Sequence, residues 1–313
     1  MTRDLDAYLP AELRGPTTAI TRIAAGLSGA CVYRVDAAGN ELVLKVSGED
    51  EPLEVWRRKV QIQQLAATAG LAPRVIHADE QRRAVLSAFV VNRSFPMLFG
   101  NPATRDAAVI LLGTLLRRVH DLPLPPGAEA TDPLELVNSV WSMLAGFAVP
   151  AFVRGAVQRM LAEEPPARDR ALVLSHNDVN PSNVIYDGEH LLLLDWDTAA
   201  PNDPLFDLAA ISVFLKMDDA TCLRLIAVHD DAPISALPAR FTYCQRLVAV
   251  MCGTAFLHLA QRQGHPGGTP TFDEAPGVAD IHQRIRAGTL NLASAEGQWS
   301  FGLALVKASG LPS

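Results

Sequence analysis

The sequence has no apolar run long enough to cross a bilayer. Its strongest, AAVILLGTLL, stops at Arg117, well short of the roughly 20 residues a spanning helix needs. The opening MTRDLDAYLPAEL mixes charges and has no apolar stretch of the kind that marks a secretory signal. A cytoplasmic location, away from membranes, is the resulting expectation. Cysteine is scarce: Cys31, Cys222, Cys244 and Cys252 are scattered, with no CxxC pair and no neighbouring His to make a zinc site. They are expected to be buried free thiols of a reducing compartment. Nor is there a run of Lys and Arg. With 27 basic against 34 acidic residues and a net charge of -7, a nucleic-acid-binding surface is excluded as a working hypothesis. A small-molecule partner fits better, and the acidic balance admits a cationic one. No internal repeat is present, and nothing in the pattern fixes an oligomeric state.

What is present is a chain of 313 residues, 49% apolar and 19% charged, enough to bury a large core. Short β-branched runs, TAITRIA, ACVYRV, ELVLKVS and AVLSAFV, predict strands in the first ninety residues, with a hairpin turn at AAGN. Between the third and fourth runs, Val55, Ile62, Leu65 and Ala69 recur at helical spacing, and Gly70 and Pro73 close the segment. From Asn101 onward the pattern is helical, as in TRDAAVILLGTLLRRVHDL and LELVNSVWSMLAGF, with Pro-rich LPLPPGAEATDP between them. The expected class is α+β. A small N-terminal lobe with an antiparallel sheet, residues 1–90, is joined to a larger, mainly helical lobe, residues 91–313.

One segment interrupts the helical half: LVLSHNDVNPSNVIYDGEHLLLLDWDTA, residues 172–199. NVIY and HLLLL flank Asp187-Gly188, a dipeptide that favours a tight hairpin. If the strands fold back about DGEH, Asn183 lies near Leu194 and Asp195, and Asp178 and Asp195 come to one end of the hairpin. An Asn amide and an Asp carboxylate suit a hard cation such as magnesium. Asp178, five residues before Asn183, then remains available to accept a proton or hold a hydroxyl. Singly, Asp178 reads as a turn cap and Asn183 as a strand-start residue. A structural origin for all of them together would have to place four polar residues at this spacing by accident.

D-x-x-x-x-N followed by an Asp at a strand end is the order of catalytic Asp, metal-binding Asn and metal-binding Asp in kinases. With SHNDVNPSN and LLDWDTAAPNDPLFDLA both present, the chain resembles the aminoglycoside phosphotransferase and choline kinase superfamily. That resemblance implies a bilobal, protein-kinase-like fold with ATP between the lobes. Carried over by position, it makes Asp178 the catalytic Asp and Asn183 and Asp195 the magnesium ligands, all three counted as catalytic. It makes His176 the residue bracing the catalytic loop and Asp207 the loop's anchor from the following helix. Asp197 carries less weight, because the family often has Glu there, and His120 is expected to be structural.

The resemblance also calls for a cation on the nucleotide phosphates. Lys45 is the candidate, one of few charges in an apolar strand pattern, although a lone Lys on a strand is more often a surface residue. Upstream, Gly26, Ser28 and Gly29 can form a turn whose amides approach phosphate. Backbone groups from Ala88 to Val90 resemble the hinge that meets adenine. The family's acidic partner for the Lys is missing: its place on the next helix falls on Arg58, Lys59 or Gln61. Glu54, one turn early, is the remaining acidic candidate.

The resemblance thus implies an ATP- and magnesium-dependent kinase that phosphorylates a hydroxyl of a small molecule. HND, NPSN and NDPLFDLA lean toward the choline, ethanolamine and thiamine kinase branch, with an aminoglycoside acceptor as the alternative. A cationic acceptor would be sought at aromatic faces, so Trp141, Trp196, Phe206 and Trp299 are the side chains to inspect, although each alone reads as packing. Two rivals stand beside this. One is a nucleotide-binding pseudokinase, supported by the missing helix Glu. The other is a metal-dependent hydrolase using His176, Asp178, Asp195 and Asp197, which leaves Lys45 idle.

Overall fold

A computed structural model describes residues 5–23, 31–48 and 50–311. In chain order the strands are β1 (Ala19–Ile23), β2 (Cys31–Ala37), β3 (Asn40–Val46), β4 (Val75–Asp79), β5 (Ala84–Ala88), β6 (Val173–Ser175), β7 (Val184–Tyr186), β8 (Leu191–Leu193) and β9 (Ala200–Asn202). The α-helices are α1 (Leu53–Thr68), α2 (Phe95–Gly100), α3 (Arg105–His120), α4 (Pro133–Met143), α5 (Ala151–Ala162), α6 (Pro204–Leu215), α7 (Asp219–Asp230), α8 (Ala239–Arg262), α9 (Val278–Arg286) and α10 (Ala295–Ala308). The class is α+β, with an antiparallel sheet in the N-terminal region and a helical C-terminal region. By packing, the chain forms two compact units: Met1–Pro125 with Ser182–Ala199, and Pro126–Pro181 with Ala200–Ser313. The unit that holds the sheet therefore reaches past residue 90, taking in α2, α3 and the β7–β8 hairpin.

In the first unit the sheet has the order β1-β2-β3-β5-β4. The AAGN turn forms as expected: Ala37 pairs with Asn40, and Ala38 and Gly39 both take positive φ, 49° and 75°, the geometry that matches the twist of a two-residue hairpin. The sheet has one strand more than the sequence pattern predicts. β4 carries VIHAD and a register shift between Val75 and His77, and such a bulge breaks the two-residue period by which strands are recognised. On one face Val35, Leu42, Leu44, Val46 and Leu86 pack with Leu9 and Leu13. On the other, Val85 meets Trp56 and Val60 of α1.

α1 ends as Gly70 predicts. Gly70 adopts φ 70°, its amide donates to the Ala67 carbonyl, and the Leu71 amide donates to the Ala66 carbonyl at 2.9 Å, the paired bonds of a Schellman cap. The buried face differs from the expected stripe. Trp56, Val60, Ile62 and Ala66 are buried, whereas Val55 is exposed, because the wide ring of Trp56 claims the position against Val85. That rotation also places Lys59 beside the buried face, its side chain 26% exposed.

In the second unit α6 is apolar nearly all round and is buried along almost its whole length, as expected of a helix with no solvent face. Helices α8 and α10 cross at small residues. A Cβ on Gly302 would lie 2.8 Å from the Gly253 carbonyl oxygen, so only glycine permits this approach. Strands β6 and β9 form a two-stranded ladder that pairs Ser175 with Ala200. They fix both ends of the loop that begins at His176 and had not been expected as a separate sheet. Among the described residues no helix is long and apolar enough to cross a membrane.

Candidate active site

In the first unit, β3 presents Lys45 opposite Val85 of β5. Cross-strand partners share a face, so Lys45 stands on the side covered by Trp56 and Val60. Its ammonium lies 2.7 Å from Asp195 Oδ1 and 2.8 Å from Asp197 Oδ1. Burial alone would lower the pKa of Lys45, but the carboxylates of Asp197 and Asp195 outweigh it and hold the ammonium above its ordinary value. Lys45 is therefore charged throughout the physiological range.

The β7–β8 hairpin delivers these carboxylates. Val184 pairs with Leu193 and Tyr186 with Leu191. The loop is the four residues DGEH, closed by Asp187 Oδ1 accepting the amides of Glu189 and His190 at 2.8 and 2.7 Å. Of its residues only Gly188 needs a positive φ, 116°. At the open end the Leu194 amide donates to the Asn183 carbonyl at 2.8 Å, which sets Asn183 beside the residue that precedes Asp195. Asp195 itself holds φ 60°, a left-handed conformation that Asp tolerates better than most residues. It turns the chain out of the strand, so that Trp196 is buried and its indole N–H reaches the Leu193 carbonyl at 3.0 Å. An amide oxygen from Asn183 and a carboxylate from Asp195 are a donor set that suits magnesium arriving with phosphate oxygens and water. Among the described residues no group of three or more His, Cys, Asp or Glu is arranged to hold a metal ion.

In the second unit Asp207, fully buried in the first turn of α6, accepts the His176 amide at 2.7 Å on Oδ2 and the Asn177 amide at 2.8 Å on Oδ1. Asn177 takes φ 63°. Its amide side chain accepts from Asn202 at 2.8 Å and donates toward the Ala200 carbonyl at 3.3 Å, tying the loop to β9. His176, also fully buried, accepts the Asp178 amide on Nδ1 at 3.3 Å. Asn180 Nδ2 then reaches both the carbonyl and Oδ1 of Asp178, at 3.3 and 3.0 Å. His176 thus fixes the Asp178 backbone, and Asn180 holds its carboxylate.

Other candidates are placed as follows. Gly26, Ser28 and Gly29 lie outside the described residues. Glu54 does not pair with Lys45: it is exposed in the first turn of α1 and pairs with Arg57 at 2.6 Å. Ala88 ends β5 with its amide on the Arg74 carbonyl at 2.8 Å, and Val90 follows outside any strand or helix, partly buried. His120 is buried at the end of α3. Of the aromatic residues, Trp196, Phe206 and Trp299 are buried, and Trp299 is stacked with His265 at 4.7 Å between ring centroids. Only Trp141 of the four is half-buried. Cys222 and Cys244 are buried, whereas Cys31 and Cys252 are half-buried; all four are free.

Sequence reasoning missed Asn180 and gave Asp197 too little weight. The first has a local signal, an Asn two residues after an Asp, the spacing at which such side chains bond back to the chain. The second has none, since its partner Lys45 is 152 positions away in sequence.

A model of the phosphotransferase enzyme family matches residues 19–238. The chain belongs to that family. No curated protein sequence matches this phosphotransferase, but solved structures do. A choline/ethanolamine kinase family protein from Mesorhizobium loti is 20% identical with a TM-score of 0.60, the match covering 97% of each chain. The choline kinase LicA from Streptococcus pneumoniae is 14% identical with a TM-score of 0.60, covering 91% of the phosphotransferase and 95% of LicA; LicA has also been solved in complex with AMP. An aminoglycoside-3'-phosphotransferase of type VIII is 22% identical with a TM-score of 0.56, covering 76% and 95%. At such identities the likeness establishes a shared fold.

Proposed function

We propose that this phosphotransferase is an ATP- and magnesium-dependent kinase that transfers the γ-phosphate to a hydroxyl of a small molecule of the choline, ethanolamine or thiamine kind. The observation that carries the reading is the pairing of Lys45, a strand residue with no structural need for charge, with Asp195 at the end of the hairpin at 2.7 Å. A hydrolase built on His176, Asp178, Asp195 and Asp197 gives no reason for Lys45. It also asks for carboxylates that are already committed to that ammonium.

In this reading residues 1–90 bind nucleotide, and residues 91–313 carry the catalytic loop and the acceptor. Lys45 holds the α- and β-phosphates. Asn183 and Asp195 hold magnesium, which supplies neutralisation of phosphate charge when bound with the nucleotide. The Asp178 carboxylate orients the acceptor hydroxyl and takes its proton. Asn180 and the Asp207-anchored loop keep that carboxylate in one rotamer, which matters because phosphoryl transfer depends mostly on positioning. That LicA has been solved in complex with AMP supports the use of a nucleotide. A cytoplasmic setting accords with a nucleotide-dependent small-molecule enzyme.

The test is a magnesium-dependent ATP-consumption screen over choline, ethanolamine, thiamine, amino sugars and aminoglycosides, with Asp178→Asn as the blank. Consumption with one acceptor class, lost in Asp178→Asn and in Asp195→Ala, is the expected result. Aminoglycosides giving the signal would move the acceptor to the alternative branch. Turnover near wild type in either variant would remove the assigned roles. ATP binding without any consumption would favour the pseudokinase.

A further inference from the structure

The family's acidic partner for Lys45 is absent from α1, and a lysine, Lys59, lies where it would be sought. Lys59 is no solvated surface lysine. It sits three residues after buried Trp56 and one before buried Val60, with its side chain 26% exposed. Its ammonium pairs with Glu51 and lies 3.8 Å from Asp197 Oδ2, while the other oxygen of Asp197, Oδ1, is 2.8 Å from Lys45. The charges alternate through Asp195, Lys45, Asp197, Lys59 and Glu51, all within the first unit.

We infer that Asp197 is the positioning carboxylate of Lys45 in place of a helix glutamate, and that Lys59 holds Asp197 from α1, so that the polarity of the helix-to-strand link is inverted in this chain. The inference rests on the kinase reading above. There Asp195 serves magnesium, and a carboxylate engaged by a dication is a poorer partner for an ammonium. Lys45, on a flexible four-carbon stem, then needs a second anchor, and among the described residues Asp197 is the one within hydrogen-bond distance. Asp197 would in turn be free to follow the nucleotide-bound cations were its second oxygen not facing Lys59. The 3.8 Å separation makes that link an ion pair rather than a hydrogen bond. Its worth comes from partial burial of all three side chains, which are 22%, 32% and 26% exposed, where screening by solvent and salt is reduced.

The inference predicts reciprocal rescue. Asp197→Asn should weaken equilibrium ATP binding roughly tenfold, the scale of one charge-assisted contact. Lys59→Glu alone should weaken it at least as much, because it sets a third carboxylate against Asp197 and Glu51. The double variant Lys59→Glu/Asp197→Asn should recover most of the affinity, since it restores a helix carboxylate for Lys45. Lys59→Arg should stay within about twofold of wild type. Additive losses in the double variant, or wild-type affinity in Lys59→Glu, would overturn the inference. Melting temperatures of the same ligand-free proteins give the readout that needs no nucleotide. If the wild type binds no ATP, the kinase reading fails; the same non-additive pattern in melting temperature would then uphold the charge link, and additivity would remove it.

Discussion

Asp207 lends itself to the sharpest energetic test. Its carboxylate is fully buried and receives two backbone amides, from His176 at 2.7 Å and Asn177 at 2.8 Å. Hydrogen bonds to a charged acceptor contribute about 1.5–3 kcal/mol each, and a buried donor left without its partner costs about 1–3 kcal/mol. Asp207→Ala strands both donors together, so the loop should lose about 3–5 kcal/mol. Asp207→Asn keeps one acceptor oxygen but turns an NH2 group toward the other donor, and should lose about 2–3 kcal/mol. Because the chain has two compact units, a global denaturation midpoint would blur the result. Amide hydrogen exchange reads it locally. In Asp207→Ala the amides of His176 and Asn177 should exchange roughly 100-fold faster, the factor that about 3 kcal/mol supplies, while amides in β3 keep their protection. Exchange at both positions within about fivefold of wild type would refute the assignment of Asp207 as the anchor of the loop.

Three further outcomes follow from other parts of the structure. Gly302→Ala gains about 1 kcal/mol of helix propensity, yet it drives a Cβ to 2.8 Å from the Gly253 carbonyl oxygen; a lower melting temperature, with a net loss of about 1–2 kcal/mol, is expected, and a rise would contradict the close crossing of α8 and α10. Asp230 is partly buried, which alone would raise its pKa, but His229 and Arg170, the latter with bonds of 2.6 and 2.7 Å, hold it down to about 2 from 3.8. Because the folded state lowers this pKa, the contribution is complete above about pH 4 and is lost as the pH falls through about 2. It amounts to up to about 2 kcal/mol, so Asp230→Asn should flatten the acid limb of stability in that window, and an unchanged limb would count against it. Burial pushes the thiols of Cys222 and Cys244 up to about 11 and 12, so brief alkylation of native protein at neutral pH should leave both unmodified by mass spectrometry.

The parts of the fold that could be read from sequence are those whose period survives intact. β3 is apolar from Leu42 to Val46 except at Lys45, which therefore stood out as a charge, and the hairpin at 184–193 was visible from two apolar runs about DGEH. β4 was lost because its bulge at Val75–His77 breaks the alternation, and β6 and β9 because three residues carry no period at all. On α1, counting from Val55 rather than Trp56 turned the expected face aside, so that nothing marked Lys59 as lying beside the buried face. The order of the candidate residues along the chain was legible. What holds them was not: Asn202 with Asn177 and Asp197 with Lys45 are pairings made by the folded chain.

The chain leaves its first compact unit at Pro125, builds residues 126–181 into the other, and returns at Ser182 to add the hairpin whose Leu193 amide closes on the Leu71 carbonyl at 2.8 Å. No single cut can therefore release either unit whole. During synthesis at ~5–20 residues per second, the first unit must wait on the order of ten seconds for the segment that completes it. Through that interval Lys45 has been made but its carboxylates have not, so the ammonium and its two partners meet only when nearly two thirds of the chain has left the ribosome.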